Sequence, residues 1–145
     1  GFVAATKWVV ALEVTRFADN KAYWTNRGWS ERGPIKTMAR VEVPKSFAKV
    51  PAGKVAVGGT AWAQTRGITK VEIQIDNGDW VETTLSTEAS TVTWRQWSYE
   101  WDAAPGPPYI KVRATDGTGE VPTDQRAAPV PDGASGWQSV LVPVE

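Results

Sequence analysis

Short runs in which apolar and polar residues alternate dominate the chain from Ile35 onward, and turn-forming residues separate them. The clearest run is Ile68–Asp76, in which Val71, Ile73 and Ile75 occupy every second position. A period of two is typical of a strand that buries one face and exposes the other. This part of the chain is therefore predicted to consist of β-strands whose apolar faces share one core.

Seven such runs follow one another in roughly 110 residues, and no helical period of useful length interrupts them. Short strands separated by regular turns are typical of an immunoglobulin-like sandwich. We therefore predict an all-β, immunoglobulin-like β-sandwich of about seven strands. The predicted strands are residues 35–43, 54–63, 68–76, 80–85, 91–101, 109–115 and 137–144.

The first 34 residues differ from the rest of the chain. Lys7–Thr15 is a dense apolar run rich in Val and is predicted to form a short strand, with a short helix as the alternative. Phe17–Gly33 is polar and aromatic without a clear period, which predicts an irregular connector. So long a connector is unusual within one compact domain. The predicted boundary therefore separates residues 1–34 from a sandwich of residues 35–145.

Composition excludes several kinds of site. The chain has no His and no Cys, which rules out Ser-His-Asp and Cys-His nucleophilic sites, disulfides, and zinc sites built on imidazole or thiolate. The 16 basic and 16 acidic residues balance, so nucleic acid is not an expected partner. No apolar stretch approaches the ~20 residues that span a bilayer. We expect a soluble chain without a catalytic site or a metal site of its own.

Five runs, in this order along the chain, resemble a known family. They are similar to the C-terminal dimerisation domain of sulfite oxidases and related molybdenum-cofactor oxidoreductases, and they span about Ile35 to Glu145. The runs are P-A-G-K-V-A-V-G-G-T-A-W-A (51–63), I-T-K-V-E-I-Q-I-D-N-G-D-W (68–80), W-R-Q-W (94–97), K-V-R-A-T-D-G (111–117) and G-W-Q-S-V (136–140).

The start of the chain extends this resemblance. Gly1–Val9, the pairs Tyr23-Trp24 and Gly28-Trp29, and the run Gly33–Thr37 are similar to the tail of the molybdopterin-binding domain and its link to the sandwich. They look most like the bacterial, often membrane-anchored, members. The resemblance implies that residues 1–34 belong to the preceding domain, and that the parent protein is membrane-anchored with this part outside the cytoplasm.

The resemblance implies a non-catalytic structural and interaction domain. Its partners would be the upstream molybdopterin-binding domain and, in a homodimer, a second copy. In this family one Cys thiolate of the catalytic domain and the pterin hold the molybdenum. This chain has no Cys, so the cofactor is expected in the parent protein and not in this fragment. Ala128–Trp137 also lacks the Arg and the W-N pair of a substrate-binding segment found in some sulfite oxidases.

A basic and aromatic strip in the connector is the first candidate contact site. It is predicted to touch a neighbouring domain, because Arg and Trp are enriched in such surfaces. A more specific alternative places it beside the anionic phosphate of the pterin. The strip consists of Trp24, Arg27, Trp29, Arg32 and Lys36.

Arg95, between Trp94 and Trp97, is the second candidate. It would either bind an anion at the catalytic domain or point outward and stack on neighbouring indoles. Alternation favours the second hypothesis, with Trp94 facing the core and a register break between Trp94 and Trp97.

Carboxylates are predicted to have structural positions. Asp76–Asp79 forms a tight turn rather than a calcium loop, because the longer ligand series with a closing Glu is missing. Asp116 is likewise expected in a turn, and Glu72, Glu82 and Glu100 are expected to face solvent because they alternate with apolar residues.

The nine Trp residues raise a different function. Sandwich domains can bind sugars on exposed aromatic rings, which stack on the apolar face of a pyranose. A carbohydrate-binding or adhesion module of a secreted protein is therefore the alternative, with Trp94, Trp97, Tyr99 and Trp101 as its platform.

Overall fold

The computed structural model describes residues 7–16 and 18–145, and it confirms the predicted immunoglobulin-like β-sandwich. Its strands are β1 (Met38–Val43), β2 (Gly53–Trp62), β3 (Ile68–Ile75), β4 (Trp80–Glu82), β5 (Thr84–Leu85), β6 (Arg95–Ala103), β7 (Tyr109–Asp116) and β8 (Gln138–Leu141). The first sheet has the order β1-β2-β6-β5 and the second has the order β4-β3-β7-β8. Neighbouring strands are antiparallel throughout both sheets.

Alternation along the strands builds the core between the two sheets, as the sequence pattern predicts. Val71 and Ile73 on β3 are fully buried, and so is Ile110 on β7. Two Trp side chains of β6 enter the same core. The buried apolar residues are Val41, Val55, Val57, Ala61, Ala63, Ile68, Val71, Ile73, Trp97, Trp101, Ala103, Ile110, Val112, Ala114, Val140, Val142 and Val144.

The run predicted as one strand over residues 80–85 is two strands in different sheets. β4 pairs with β3, whereas β5 pairs with β6. The change of sheet occurs at Thr83, whose backbone N–H and side-chain hydroxyl both donate to Val71 O, at 2.9 and 3.0 Å. These two hydrogen bonds give the polar groups of the buried Thr83 a partner where the chain passes from one sheet to the other. The chain therefore changes sheet without a longer loop.

A Gly-Gly pair inside a strand pattern predicts a bulge or a close backbone approach, and the structure has both at Gly58-Gly59. A β-bulge in β1 sets Val41 opposite Gly59 and Val43 opposite Gly58. A Cβ atom at Gly59 would lie 1.9 Å from the backbone O of Arg40 and 2.9 Å from Cζ2 of Trp97. Only glycine leaves room for this indole beside the paired backbone.

The register of β6 differs from the prediction. Pairing with β2 is continuous from Arg95 to Ala103, so no break occurs between Trp94 and Trp97. Trp97 and Trp101 are therefore inward, whereas Trp94 precedes the strand and is 49% exposed. The assumed break was wrong because the strand begins one residue after Trp94.

Residues 7–16 do not form the predicted short strand. They have no regular secondary structure, and all of their side chains are exposed. A strand requires a hydrogen-bonded neighbour, and no described residue pairs with this segment. Residues 1–6, which begin the Gly1–Val9 run, and Phe17 lie outside the described part of the chain.

The chain divides into two compact units. One combines Gly1–Pro34 with Arg126–Ser135, and the other combines Ile35–Gln125 with Gly136–Glu145. Within the first unit, the predicted connector is irregular except for a 3-10 turn at Thr25–Arg27. The second unit is the sandwich. The assignment of residues 1–34 to a molybdopterin-binding domain stays a prediction.

Replacing Gly59 tests the packing of Trp97. We expect Gly59→Ala to lower the free energy of unfolding by about 3 kcal/mol, because the new methyl group overlaps backbone atoms that cannot move aside. Gly58→Ala is the matched control, since its Cβ would lie 3.2 Å from Trp97 O. Urea unfolding of both variants measures the difference. Equal losses would contradict the proposed crowding at Gly59.

Candidate functional site

The predicted contact residues of the connector are mostly exposed. Trp24 is 44% exposed and meets Tyr23 edge to face, with ring centroids 5.0 Å apart. The guanidinium of Arg27 lies 4.3 Å from the centre of the Tyr23 ring. Trp29 is half-buried, and Arg32 is exposed. The structure thus brings Trp24 and Arg27 together around Tyr23, while their contact with a neighbouring domain stays a prediction.

Lys36 and Arg95 belong to the sandwich unit. Lys36 is exposed, just before β1. The side chain of Arg95 is only 22% exposed and lies 3.7 Å from the Glu88 carboxylate. Its Nε donates to Ser86 O at 3.0 Å, and Nη1 donates to Ile68 O at 2.5 Å.

The expectation that Arg95 points outward was wrong, because the continuous register of β6 turns it to the same side as Trp97. Its guanidinium binds the carbonyls of Ser86 and Ile68 instead of stacking on the neighbouring indoles. Arg95 therefore holds the segment after β5 against the start of β3.

A buried carboxylate is the most strongly built polar feature of the sandwich. Asp116 is completely buried at the end of β7. Oδ2 accepts hydrogen bonds from Thr37 Oγ1 and Arg66 Nε, both at 2.7 Å. Oδ1 accepts from the N–H and hydroxyl of Thr118, at 2.9 and 2.6 Å, and from the Glu120 N–H at 3.2 Å. We call Thr37, Arg66, Asp116 and Thr118 the Asp116 cluster.

The Asp116 cluster holds the beginning of the sandwich in place. Arg66 Nη2 donates to Ile35 O and to Thr37 Oγ1, both at 3.0 Å, so one guanidinium joins the residues before β1 to the end of β7. Burial by itself would raise the pKa of Asp116. Hydrogen bonds from Thr118, Thr37 and Arg66 outweigh that effect and hold the pKa well below its usual range.

The outer face of the second sheet carries a stacked cluster. The guanidinium of Arg113 lies 4.1 Å from the centre of the Trp80 ring and 5.6 Å from that of Trp137. The two indoles meet edge to face, with centroids 4.9 Å apart. Arg113 Nε also binds Glu72 Oε2 at 2.9 Å, and Lys70 Nζ binds Glu72 Oε1 at 3.2 Å.

The prediction that Glu72 faces open solvent was therefore wrong. It lies on the outer face as alternation requires, but Trp80, Trp137 and Arg113 cluster over that face and leave it 9% exposed. Desolvation opposes ionisation of Glu72, yet Arg113 and Lys70 lower its pKa overall.

The aromatic platform predicted for sugars does not exist as one surface. Trp97 is 2% and Trp101 is 7% exposed, because both face the core, and Tyr99 packs against that core. Of the four residues, only Trp94 is well exposed.

The described residues contain no group of three or more His, Cys, Asp or Glu side chains that could hold a metal ion. The sequence has no Cys, so it cannot supply the thiolate that the resembled family uses for molybdenum. Across the described residues, no helix has the length and apolar character needed to cross a bilayer.

Solved structures support the fold. The chain is similar to the sulfane dehydrogenase SoxCD from Paracoccus pantotrophus, with 18% identity, a TM-score of 0.61, and coverage of 77% of this chain and 33% of that chain. It is also similar to fibronectin(III)-like modules of CbhA from Clostridium thermocellum, with 24% identity, a TM-score of 0.51, and coverage of 77% and 47%. At these identities the likeness shows the fold alone.

The chain thus spans about a third of the SoxCD chain that it matches. No family model matches the sequence, and no curated protein matches it.

Acid unfolding tests the Asp116 cluster. The folded-state pKa of Asp116 is lowered from an unfolded value of about 3.9, so ionised Asp116 stabilises the fold above about pH 4 and that stability is lost in more acidic solution. Asp116→Asn should cost about 3 kcal/mol at pH 7, because Arg66 loses its buried partner. The cost should shrink as the pH falls below 4.

Asp79→Asn is the control, since Asp79 is an exposed turn residue. Urea unfolding between about pH 7 and pH 2 checks both variants. A cost for Asp116→Asn that does not change with pH would contradict the role assigned to its charge.

Proposed function

We propose that this chain is the C-terminal structural and interaction domain of a molybdenum-cofactor oxidoreductase that resembles sulfite oxidase. The observation that carries the proposal is the position of the five resembling runs on the fold. Residues 51–63 contain β2, residues 68–80 contain β3 and the turn to β4, and residues 94–97 contain the start of β6. Residues 111–117 contain most of β7, and residues 136–140 contain the start of β8. The similarity to a sulfane dehydrogenase supports the same class of parent protein.

In this proposal the sandwich does not carry out catalysis. The preceding domain would hold molybdenum and molybdopterin, which would supply the chemistry of an oxygen-atom transfer or a two-electron reduction. The sandwich packs against that domain and contributes to a homodimer. The parent protein is membrane-anchored and places this domain outside the cytoplasm.

Residues 8–14 support a contact with a preceding domain. Trp8, Val10, Leu12 and Val14 are 94, 99, 93 and 101% exposed, and they occupy every second position. Apolar side chains with this period normally lie on the buried face of a strand, and such exposure marks an interaction surface. We propose that this segment adds to a sheet of the preceding domain. Trp24, Arg27, Trp29 and Arg32 would extend the same contact, with Lys36 and Arg95 as the proposed contacts from the sandwich.

The Asp116 cluster suits such a junction. Its hydrogen bonds fix Ile35 and Thr37 on the sandwich. The chain therefore enters the sandwich at a defined position. A rigid start of the sandwich would keep the interdomain contact in register. Holding the start of the sandwich in place requires no exposed charge, which agrees with the complete burial of the Asp116 side chain.

The test uses the full-length parent protein. We expect purified full-length protein to contain molybdenum, and Val10→Ser with Val14→Ser to lower its molybdenum content and thermal stability, because the two polar residues weaken the interdomain sheet. The same pair in the 145-residue chain should leave its melting temperature unchanged, since both side chains are exposed there. Metal analysis and thermal unfolding provide the measurements.

The matched control replaces Val43 and Val92, which are 57% and 49% exposed, with Ser. This control pair should change neither molybdenum content nor thermal stability of the full-length protein. Full-length protein without molybdenum would refute the proposed parent class. A Val10/Val14 variant that behaves like the control would refute the proposed contact of residues 8–14.

A further inference from the structure

The outer face of the first sheet contains an open groove that the proposed function does not use. Two adjoining depressions of about 350 Å³ each lie on this face, and Ser98 lines both. The floor is low because Ala56, Gly58 and Ser98 carry small side chains on neighbouring positions of β2 and β6. Along β2, the face runs about 26 Å from Lys54 to Trp62.

A stacked pair of indoles lies next to the residues that line this groove. The rings of Trp62 and Trp94 stack with centroids 6.0 Å apart and an interplanar angle of 24°. Trp62 Nε1 donates to Val92 O at 3.3 Å, which orients its ring. Trp94 remains 49% exposed. Trp62 lies two residues beyond Thr60 on the same strand face, about 7 Å away, so the rings directly adjoin the first depression.

Polar side chains without internal partners line the groove next to these rings. Within the described part of the chain, the Gln96 amide and the hydroxyls of Ser86 and Ser98 form no side-chain hydrogen bond. Glu42 lies on the β1 side, where its Oε1 accepts from Thr60 Oγ1 at 3.1 Å. The groove therefore offers uncharged donors and acceptors beside an aromatic surface.

The charges around the groove argue against an anionic ligand. Arg40 pairs with Glu42 at 3.3 Å, and Lys54 pairs with Glu100 at 3.2 Å. Asp102 lies 3.9 Å from the same Lys54. Because the basic groups already face carboxylates, no free positive surface remains to attract a polyanion.

An extended peptide is also a poor fit. A peptide that adds to a sheet is recognised through free backbone groups at an edge strand. This groove lies on the face of β2 and β6, whose backbones pair with each other from Gly53–Ala103 to Ala61–Arg95. Recognition here has to use rings, hydroxyls and amides, and this set suits a ligand with apolar ring faces and many hydroxyl groups.

We infer that this groove binds a neutral oligosaccharide, with one sugar ring stacked on Trp94 and the following units hydrogen-bonded along Gln96 and Ser98. This inference is independent of the proposed parent enzyme. It also differs from the platform predicted from the sequence, since Trp97 and Trp101 lie in the core and Trp62 takes their place.

Calorimetric titration of the 145-residue chain with cellohexaose, xylohexaose and mannohexaose tests the inference. We expect at least one of the three to bind at concentrations up to about 1 mM. Trp94→Ala should weaken that binding at least about tenfold, and Gln96→Ala should weaken it by a smaller factor. Ser98→Phe should abolish it, because Ser98 lines both depressions and the larger side chain would block the groove where they meet.

Tyr109→Ala is the matched control, since Tyr109 is 50% exposed on the second sheet, and it should bind as the parent chain does. Circular dichroism checks that each variant is folded. If Trp94→Ala does not fold, Gln96→Ala tests the inference instead, because it changes only an exposed side chain. The absence of binding to all three sugars would overturn the inference, and so would binding that Trp94→Ala or Gln96→Ala leaves unchanged. A dimer in light scattering that Ser98→Phe disrupts would show that this face binds protein, and would also overturn it.

Discussion

Packing between two sheets is the constraint on which the whole sandwich depends. The chain has no Cys, so no disulfide can join the sheets, and side chains from the inner faces have to hold them together. Trp97 illustrates how closely they fit. Its indole occupies the space that a Cβ of Gly59 would need, while the bulge in β1 brings Arg40 O against the same position. The backbones of β1, β2 and β6 therefore all fit around this one side chain. The inward apolar side chains of β3 and β7 complete the core.

A single charged cluster complements this apolar packing. Asp116 is buried at the edge of the core, and five hydrogen-bond donors surround its carboxylate. A buried charge is costly unless it is paired and fully hydrogen-bonded, and this one is both. The cluster joins residues 35–37 to the loop after β7, so the chain enters the sandwich at one defined position. This defined position supports the proposal that the chain is an interaction domain of a larger enzyme.

The two outer faces of the sandwich differ in a way that bears on function. On the second sheet, Trp80, Arg113 and Trp137 stack on one another and over Glu72, and the charges of Arg113 and Glu72 pair with each other. On the first sheet, small residues leave a groove, and Gln96 and Ser98 remain available to a ligand. The proposed oxidoreductase role concerns the exposed segment of residues 8–14, whereas the inferred sugar site uses this separate face.

The sequence by itself determined the fold class. A period of two and regularly spaced turns can both be seen in the order of residues along the chain, without knowing which strands pair. It also identified the inward positions of β3 and predicted a bulge or a close approach at Gly58-Gly59. Residue types excluded thiolate and imidazole chemistry in the same direct way. The contact residues of the connector were likewise chosen from local composition, and their partner stays a prediction.

Only the tertiary structure decided how residues far apart in sequence meet. Asp116 looks like an ordinary turn residue until the fold brings Thr37 and Arg66 to it, and nothing in its local pattern indicates burial. Trp94 and Arg95 were misplaced because the sequence pattern was interpreted with a register break after Trp94, whereas the continuous pairing of β6 turns Arg95 to the same side as Trp97. The run over residues 80–85 has one continuous pattern, yet Thr83 divides it between two sheets. Pairing partners and burial are properties of the assembled sheets, and for that reason the pattern along a single strand could not determine them.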